Sequence, residues 1–141
     1  MATVTKIQDF SEQLSMGVHV IGTHTFKLAL CNTAPVATNT ILSDLTQIDY
    51  TNISGGVAPT VTIGISEASG TTTVTGDQVV ITATGTVPTF SYYVLYNDTA
   101  TNKNLVCFWD HGSTVDLVNS GDTFTVKFDN STTGGTIFTL A

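Results

Sequence analysis

Basic residues are scarce in this sequence. It contains no arginine, and four lysines stand against eleven acidic residues, so the formal net charge is −7 at pH 7. A nucleic-acid interface needs clustered lysine and arginine to displace the counterions of the phosphates, and anionic membranes are bound in the same way. We therefore predict that neither nucleic acid nor a membrane is a partner, and that the acidic surface serves solubility.

Cysteine is almost as scarce. Cys31 and Cys107 form no CxxC pair and join no cysteine–histidine quartet of the kind that holds zinc. The first ten residues, MATVTKIQDF, include an acidic residue and no long apolar run, so they do not resemble a secretory signal. Because disulfides persist in oxidising compartments, we expect two buried free thiols instead of a disulfide. No apolar run approaches the length that a membrane-spanning helix requires.

Signatures of catalysis are missing. The sequence has no nucleophile elbow of the GxSxG type, no P-loop and no GxGxxG turn. Cys107, Asp110 and His111 lie close together in the segment CFWDHG. On a strand, however, Cys107 and His111 would stand about 13 Å apart, too far for a thiolate–imidazole pair. We predict that the chain is not an enzyme and has no catalytic residue.

Metal ligands are also poorly represented. His19 and His24 flank the end of a predicted helix without an acidic residue between them, so we expect solvated or capping histidines. Asp129 and Asn130 carry oxygen atoms suited to calcium, but they lack the EF-hand spacing and are typical of a turn. The prediction is therefore a chain without a metal and without a cofactor.

The sequence is instead rich in threonine and in alternating apolar residues. The segments FKLALC (26–31), TVTIGI (60–65) and TFTVKF (123–128) each alternate apolar and polar or small residues. A period of two places alternate side chains on opposite faces of a strand. We expect antiparallel strands with one solvated face, and the segment 129–140 is expected to form a final hairpin.

Two further runs are apolar on both faces. Residues 92–96 (YYVLY) and 105–109 (LVCFW) are joined by NDTATNKN, whose asparagines and aspartate favour a turn. They predict a hairpin covered on both sides, either by a packed sheet or by another subunit. Their aromatic rings suit a sugar-binding platform or, as we prefer, a sandwich core. These rings belong to Tyr92, Tyr93, Tyr96, Phe108 and Trp109.

One helix is predicted, over residues 5–21. Its apolar residues recur at spacings of three and four, and Thr5 with Gln8 suits a capping box before a stop at Gly22. These apolar residues form a stripe along one side of the helix, which would pack on the sheet or on a neighbouring subunit. The predicted fold class is mainly β, an antiparallel β-sandwich or barrel-like domain with one short N-terminal helix, in a single domain of residues 1–141.

We predict that residues 32–52 form an extended arm. The segment is longer than most loops in compact domains, which seldom exceed about 15 residues, so a simple connection is not expected. Pro35 starts a turn, and Ile41, Leu45 and Ile48 are apolar points in an otherwise polar segment. The arm would either lie over its own sheet or bind a neighbouring subunit. A second predicted contact is the N-terminal segment, including Ala2, Thr3 and Val4, because chain termini are free to extend onto a partner.

Four segments resemble a widespread family of small structural proteins of tailed bacteriophages. They are KLALCNTAP (Lys27–Pro35), VLYNDT (Val94–Thr99), WDHGS (Trp109–Ser113) and GDTFTVKF (Gly121–Phe128). The resemblance covers most of the chain, although residues 55–87 fit it loosely. None of the four motifs is catalytic, so together they identify a scaffold and not a reaction.

The resemblance implies a virion component that is made in the bacterial cytoplasm and acts on the capsid surface. A capsid decoration (cement) protein that stabilises the head shell is the expected function, with the major capsid protein as partner and a homotrimer as the assembly. The alternative is a structural protein of the tail or a fibre, where aromatic faces would recognise host glycan.

Overall fold

The computed structural model describes residues 3–131 and 133–141, which fold mainly into antiparallel strands with one short helix. The helix is α1 (Phe10–Ser15), and 3₁₀ turns lie at Leu42–Asp44 and Phe128–Asn130. The strands are β1 (Thr3–Lys6), β2 (Phe26–Cys31), β3 (Thr60–Val61), β4 (Ile63–Ala68), β5 (Thr71–Gly76), β6 (Val79–Thr82), β7 (Phe90–Asn97), β8 (Leu105–Val115), β9 (Thr123–Val126) and β10 (Gly135–Leu140).

Within the described part of the chain these strands form three sheets. A five-stranded sheet has the order β1-β8-β7-β2-β3, a three-stranded sheet has the order β10-β5-β4, and β6 pairs with β9. All three contribute buried side chains to one hydrophobic cluster, for example Leu28, Ile81 and Ile137. The packing is sandwich-like, and the predicted fold class is confirmed.

The predicted central hairpin is also confirmed. β7 and β8 pair antiparallel in a register that places Tyr93 opposite Trp109, and loop 98–104 joins them. From Tyr93 to Asn97 and from Leu105 to Trp109 every residue is buried. Burial on both faces explains why these two runs lack the alternation of a half-exposed strand.

The solvated face predicted for β2 is wrong. Ala29 and Cys31 are fully buried, as are Leu28 and Leu30 on the other face. β2 lies between β7 and β3, and apolar side chains of the arm pack against the core beside it. Those side chains are Leu42, Leu45, Ile48 and Tyr50.

Two other strand predictions need correction. The segment 60–65 is not one strand, because the chain passes at Thr62 from the five-stranded to the three-stranded sheet, and Ile65 is 53% exposed. The final hairpin is absent among the described residues, since β10 pairs with β5. A 3₁₀ turn follows β9, and the left-handed Asp129 within it (φ 53°) redirects the chain toward the other sheet.

The helix is much shorter than predicted. Thr3–Lys6 pairs with β8 as a strand, so Thr5 does not cap a helix, and α1 begins only at Phe10. It ends at Ser15, and Gly17 follows in a left-handed conformation (φ 81°) that interrupts the helical path. Ile7 and Phe10 are nevertheless buried in the chain's own core, so the stripe packs within the domain.

Candidate interaction surfaces

A groove of about 620 Å³ lies between β1, α1 and β10. We call it the edge groove. Its apolar lining includes Val4, Phe10, Leu14, Phe138 and Leu140. Val4 is 50% exposed and Leu140 is 42% exposed, so the groove presents apolar surface to the solvent.

The strands beside the edge groove are both outermost in their sheets. β1 ends the five-stranded sheet and β10 ends the three-stranded one. The Ile7 N–H donates to the Val106 carbonyl at 3.1 Å, which directs the backbone groups of Ile7 toward β8. Because this direction alternates along a strand, the backbone groups of Val4 and Lys6 point away from β8. Such an edge accepts an added strand.

The lining of the edge groove carries little charge. Of the described residues that line it, none is acidic and one, Lys6, is basic. The Lys6 ammonium donates to the Ser11 hydroxyl at 2.9 Å. On a chain with a net charge of −7, this groove is therefore a place where another acidic protein meets little repulsion.

A second groove of about 480 Å³ lies between residues 32–52 and loop 98–104. We call it the arm groove, and its lining includes Ile41, Leu45, Asn102 and Lys103. The two walls are joined by the backbone, because the Leu42 N–H donates to the Lys103 carbonyl at 3.0 Å. The arm groove is thus built by segments that lie far apart in the sequence.

An acidic residue shapes the arm beside this groove. The Asp44 carboxylate accepts hydrogen bonds from the backbone N–H groups of Thr40 and Ile41 at 2.9 and 3.2 Å. These bonds hold the pKa of Asp44 below its ordinary value. The turn therefore keeps its carboxylate ionised and stays closed at neutral pH.

The residues predicted to contact a partner divide between the two grooves and the core. Val4 lines the edge groove, Thr3 pairs with Asp110 through the backbone, and Ala2 lies outside the described residues. Ile41 and Leu45 line the arm groove. That these residues touch a partner stays a prediction.

The remaining two predicted contacts lie deeper in their own chain. Pro35 is buried, and Ile48 is half-buried against the core. The Ile48 N–H donates to the Leu30 carbonyl at 2.9 Å, which ties the arm to the edge of β2. The structure thus brings Ile41 and Leu45 to one surface, while Pro35 and Ile48 are not part of the lining of the arm groove.

The aromatic residues of the central hairpin form a core. Tyr93 stacks on Trp109 with ring centroids 5.7 Å apart, and the two residues are 4% and 7% exposed. Trp109 also contacts Phe128, with centroids 5.1 Å apart. The preferred interpretation as a sandwich core is confirmed, and the sugar-binding alternative loses the exposed ring faces that it requires.

Neither cysteine is activated. Both thiols are free and buried, as predicted. Burial raises the pKa of Cys31 to about 11 and also raises the pKa of Cys107. Asp110 accepts the Gly112 N–H at 2.8 Å and His111 packs on the ring of Phe124, so the CFWDHG segment does not assemble a reactive group.

A buried polar cluster was missed by the sequence analysis. Of the two roles expected for His19, solvated or capping, the solvated one is wrong, because the side chain is buried. Its ring lies against Phe10, with centroids 5.2 Å apart. Asn97, treated as a turn residue, is fully buried at the end of β7. Its Nδ2 atom lies 3.1 Å from His19 Nδ1 and 2.9 Å from His24 Nδ1. Asn97 lies more than 70 positions from either histidine, so no local pattern could reveal the cluster.

Burial lowers the pKa of His19, and the neighbouring His24 lowers it further, while Asp9 acts in the opposite direction. His19 Nε2 is buried without a hydrogen-bond partner. The cluster holds no third ligand for a metal ion, and residues 3–131 and 133–141 contain no group of three or more histidine, cysteine, aspartate or glutamate side chains placed to bind one.

Comparison with known proteins gives no match to a protein-family model, to a curated protein or to a solved structure. None of the helices in the described part of the chain is long and apolar enough to cross a membrane. The expectations that the chain is not an enzyme and takes no cofactor stay predictions.

Proposed function

We propose that the chain is a structural virion protein of a tailed bacteriophage, and that it decorates the head shell as a cement protein. The observation that carries this proposal is the edge groove, an exposed apolar surface between two open strand edges. Such a surface suits a partner protein that adds an extended segment to a sheet. The major capsid protein is the partner that the resemblance implies.

The four motifs of the resemblance support a scaffold role. Lys27–Pro35 supplies most of β2 and the start of the arm, and Val94–Thr99 supplies the buried end of β7. Trp109–Ser113 belongs to β8, and Gly121–Phe128 contains β9. The shared residues therefore build the core sheets, as expected for a family that conserves a shape and varies its partners.

A cement protein acts by mass action. Because it binds the assembled shell and not the dissociated capsid subunits, each bound copy stabilises the shell in proportion to its occupancy. Many small interfaces are sufficient for this effect. Assembly as a homotrimer, expected from the resemblance, would multiply the contacts of each unit through avidity.

The test is the copy number of this protein in purified virions, measured by quantitative mass spectrometry against the major capsid protein. A number comparable to that of the capsid subunits supports decoration of the lattice. A handful of copies would instead support the tail or fibre alternative. Absence from the virion would overturn both.

Recognition of a host glycan is the less supported part of the tail or fibre alternative. The rings that would stack on a sugar are mostly inside the core, with only Tyr92 half-buried at its margin. A tail protein that binds another protein through the edge groove remains compatible with this surface.

A further inference from the structure

The orientation of the Asn97 amide is determined by its neighbours. Its Oδ1 atom accepts the backbone N–H groups of Thr99 and Ala100 at 3.0 and 3.2 Å. The Nδ2 group must therefore face the two imidazoles and the Val18 carbonyl, which lies at 3.3 Å. An amide NH₂ donates and does not accept, so neither His19 Nδ1 nor His24 Nδ1 can carry a proton directed at it; its two hydrogens are shared among the two ring nitrogens and the Val18 carbonyl. Each ring then carries its proton on Nε2.

We propose that Asn97, His19 and His24 form an acid-sensitive clasp that positions loop 98–104 and, through this loop, one wall of the arm groove. The clasp joins the segment after α1 to the end of β7. It requires both histidines to be neutral. Protonation of either ring places an N–H at Nδ1 directly against the donating Asn97 amide, which replaces an attraction by a repulsion.

The surroundings of His19 make this repulsion hard to relieve. Its ring packs between Phe10 and Phe26, with centroids 5.2 and 6.2 Å away. A charged imidazolium there would lose its hydration without gaining an acceptor. His19 Nε2 already lacks a hydrogen-bond partner, so the ring has no alternative contact in place.

The charged groups near the clasp do not compensate for a second proton. Asp9 is the carboxylate that acts on His19, and it is shared with the Gln13 amide at 3.3 Å. Asp98, next to Asn97, forms ion pairs with Lys103 at 3.0 Å and with Lys27 at 3.6 Å. His24 also acts on His19, and it repels a charge there.

The direction of the pH effect follows from linkage. The pKa of His19 is lower in the folded chain than its ordinary value of 6.5, so the unfolded chain binds the extra proton more readily. The stability that the clasp contributes is fully present above about pH 6.5 and is lost as the pH falls through the lower folded-state value.

Opening of the clasp would reach the arm groove through the backbone. Lys103 and Asn102 belong to loop 98–104 and line that groove, and the Lys103 carbonyl accepts the Leu42 N–H. Acid would therefore loosen the groove as well as the clasp. Neither the clasp nor this coupling rests on the proposed function, and the clasp is tested in the isolated protein.

The first test is amide hydrogen exchange of the full chain at pH 8 and pH 5, corrected for the intrinsic exchange rates. Each pH unit between the ordinary pKa of 6.5 and the lower folded-state pKa of His19 weakens the clasp by about tenfold. We expect the protection of the Thr99 and Ala100 amides to fall by about tenfold or more at pH 5. Unchanged protection would overturn the proposal.

Two variants sharpen the test. Asn97→Asp supplies a carboxylate that accepts from a protonated Nδ1, so its melting temperature should no longer fall with acid. His111→Gln removes the histidine outside the clasp and should keep the wild-type pH profile. If Asn97→Asp does not fold, nitrogen NMR shifts of wild-type His19 and His24 decide. Protons on Nε2 at pH 8 support the clasp, and protons on Nδ1 overturn it.

Discussion

Gly135 lies where β10 passes closest to the 3₁₀ turn Phe128–Asn130. A Cβ atom at this position would overlap the carbonyl oxygen of Phe128. That oxygen cannot move aside easily, because Phe128 is buried and packs on Trp109. The absence of a side chain is therefore what allows β10 to follow its path.

We expect Gly135→Ala to lower the free energy of unfolding by about 3 kcal/mol, because overpacking against buried backbone forces the strand to shift. Denaturation in urea measures the change. Gly22→Ala is the control, since its added Cβ would meet only Ile65 Cγ2, at an ordinary contact distance of 3.7 Å. Equal effects of the two substitutions would contradict the steric explanation.

At the residue scale, the sequence predicted burial better than hydrogen bonding. The two free cysteines and the hairpin aromatics were placed correctly, because apolar character is a property of each residue alone. His19 and Asn97 were not, because the contact between His19 Nδ1 and Asn97 Nδ2 joins distant segments. A polar side chain shows its role when its partner is known.

Among the larger elements, the arm is tied to β2 by Tyr50. Its hydroxyl donates to Gln47 Oε1 at 2.7 Å and accepts the Leu30 N–H at 2.9 Å. β3 pairs only with the start of β2, at Phe26 and Lys27. The arm supplies hydrogen-bond partners for the other end of β2. The long connection after β2 thus completes a sheet edge.

Tyr50→Phe is expected to lower the free energy of unfolding by about 2 kcal/mol, because it leaves the buried Leu30 N–H without its acceptor. The Ile48 amide should also exchange faster, as the arm loosens. Tyr92→Phe removes a hydroxyl from another half-buried tyrosine and serves as the control. If both variants are equally stable, the hydroxyl does not hold the arm. Burial raises the pKa of Tyr50, so the phenol stays protonated throughout the measurement.

At the element scale, prediction succeeded where a period was uniform and failed where the chain changed sheets. The β7–β8 hairpin was found because both strands remain buried along their apolar runs. The segment 60–65 alternates regularly, yet its residues belong to strands of two different sheets. The predicted helix was too long because residues 3–6 pair with β8, a contact that overrides local helical periodicity.

For the whole molecule, the proposed function assigns the edge groove to a partner in the virion. Val4 and Val80 are both 50% exposed on strands, but only Val4 lines this groove. Substitution by glutamate at either position adds one negative charge to the chain. The two positions therefore separate a contact effect from a general charge effect.

We expect Val4→Glu to reduce the copies bound per virion by tenfold or more, on the order of 1.4 kcal/mol of binding free energy. Val80→Glu should bind as the wild type does. Both substitutions are at exposed sites and should change the free energy of unfolding by no more than about 0.5 kcal/mol. Equal loss of binding in the two variants would mean that the groove is not the contact surface.

The sequence by itself determined the fold class, the acidic and weakly charged surface, the central hairpin and the buried thiols. Each follows from local composition or from the period of apolar residues, which the chain carries before it folds. Only the tertiary structure decided which strands share a sheet, where β10 pairs and how the arm completes β2. It also brought Asn97 to His19, because contacts between distant segments depend on the path of the whole chain.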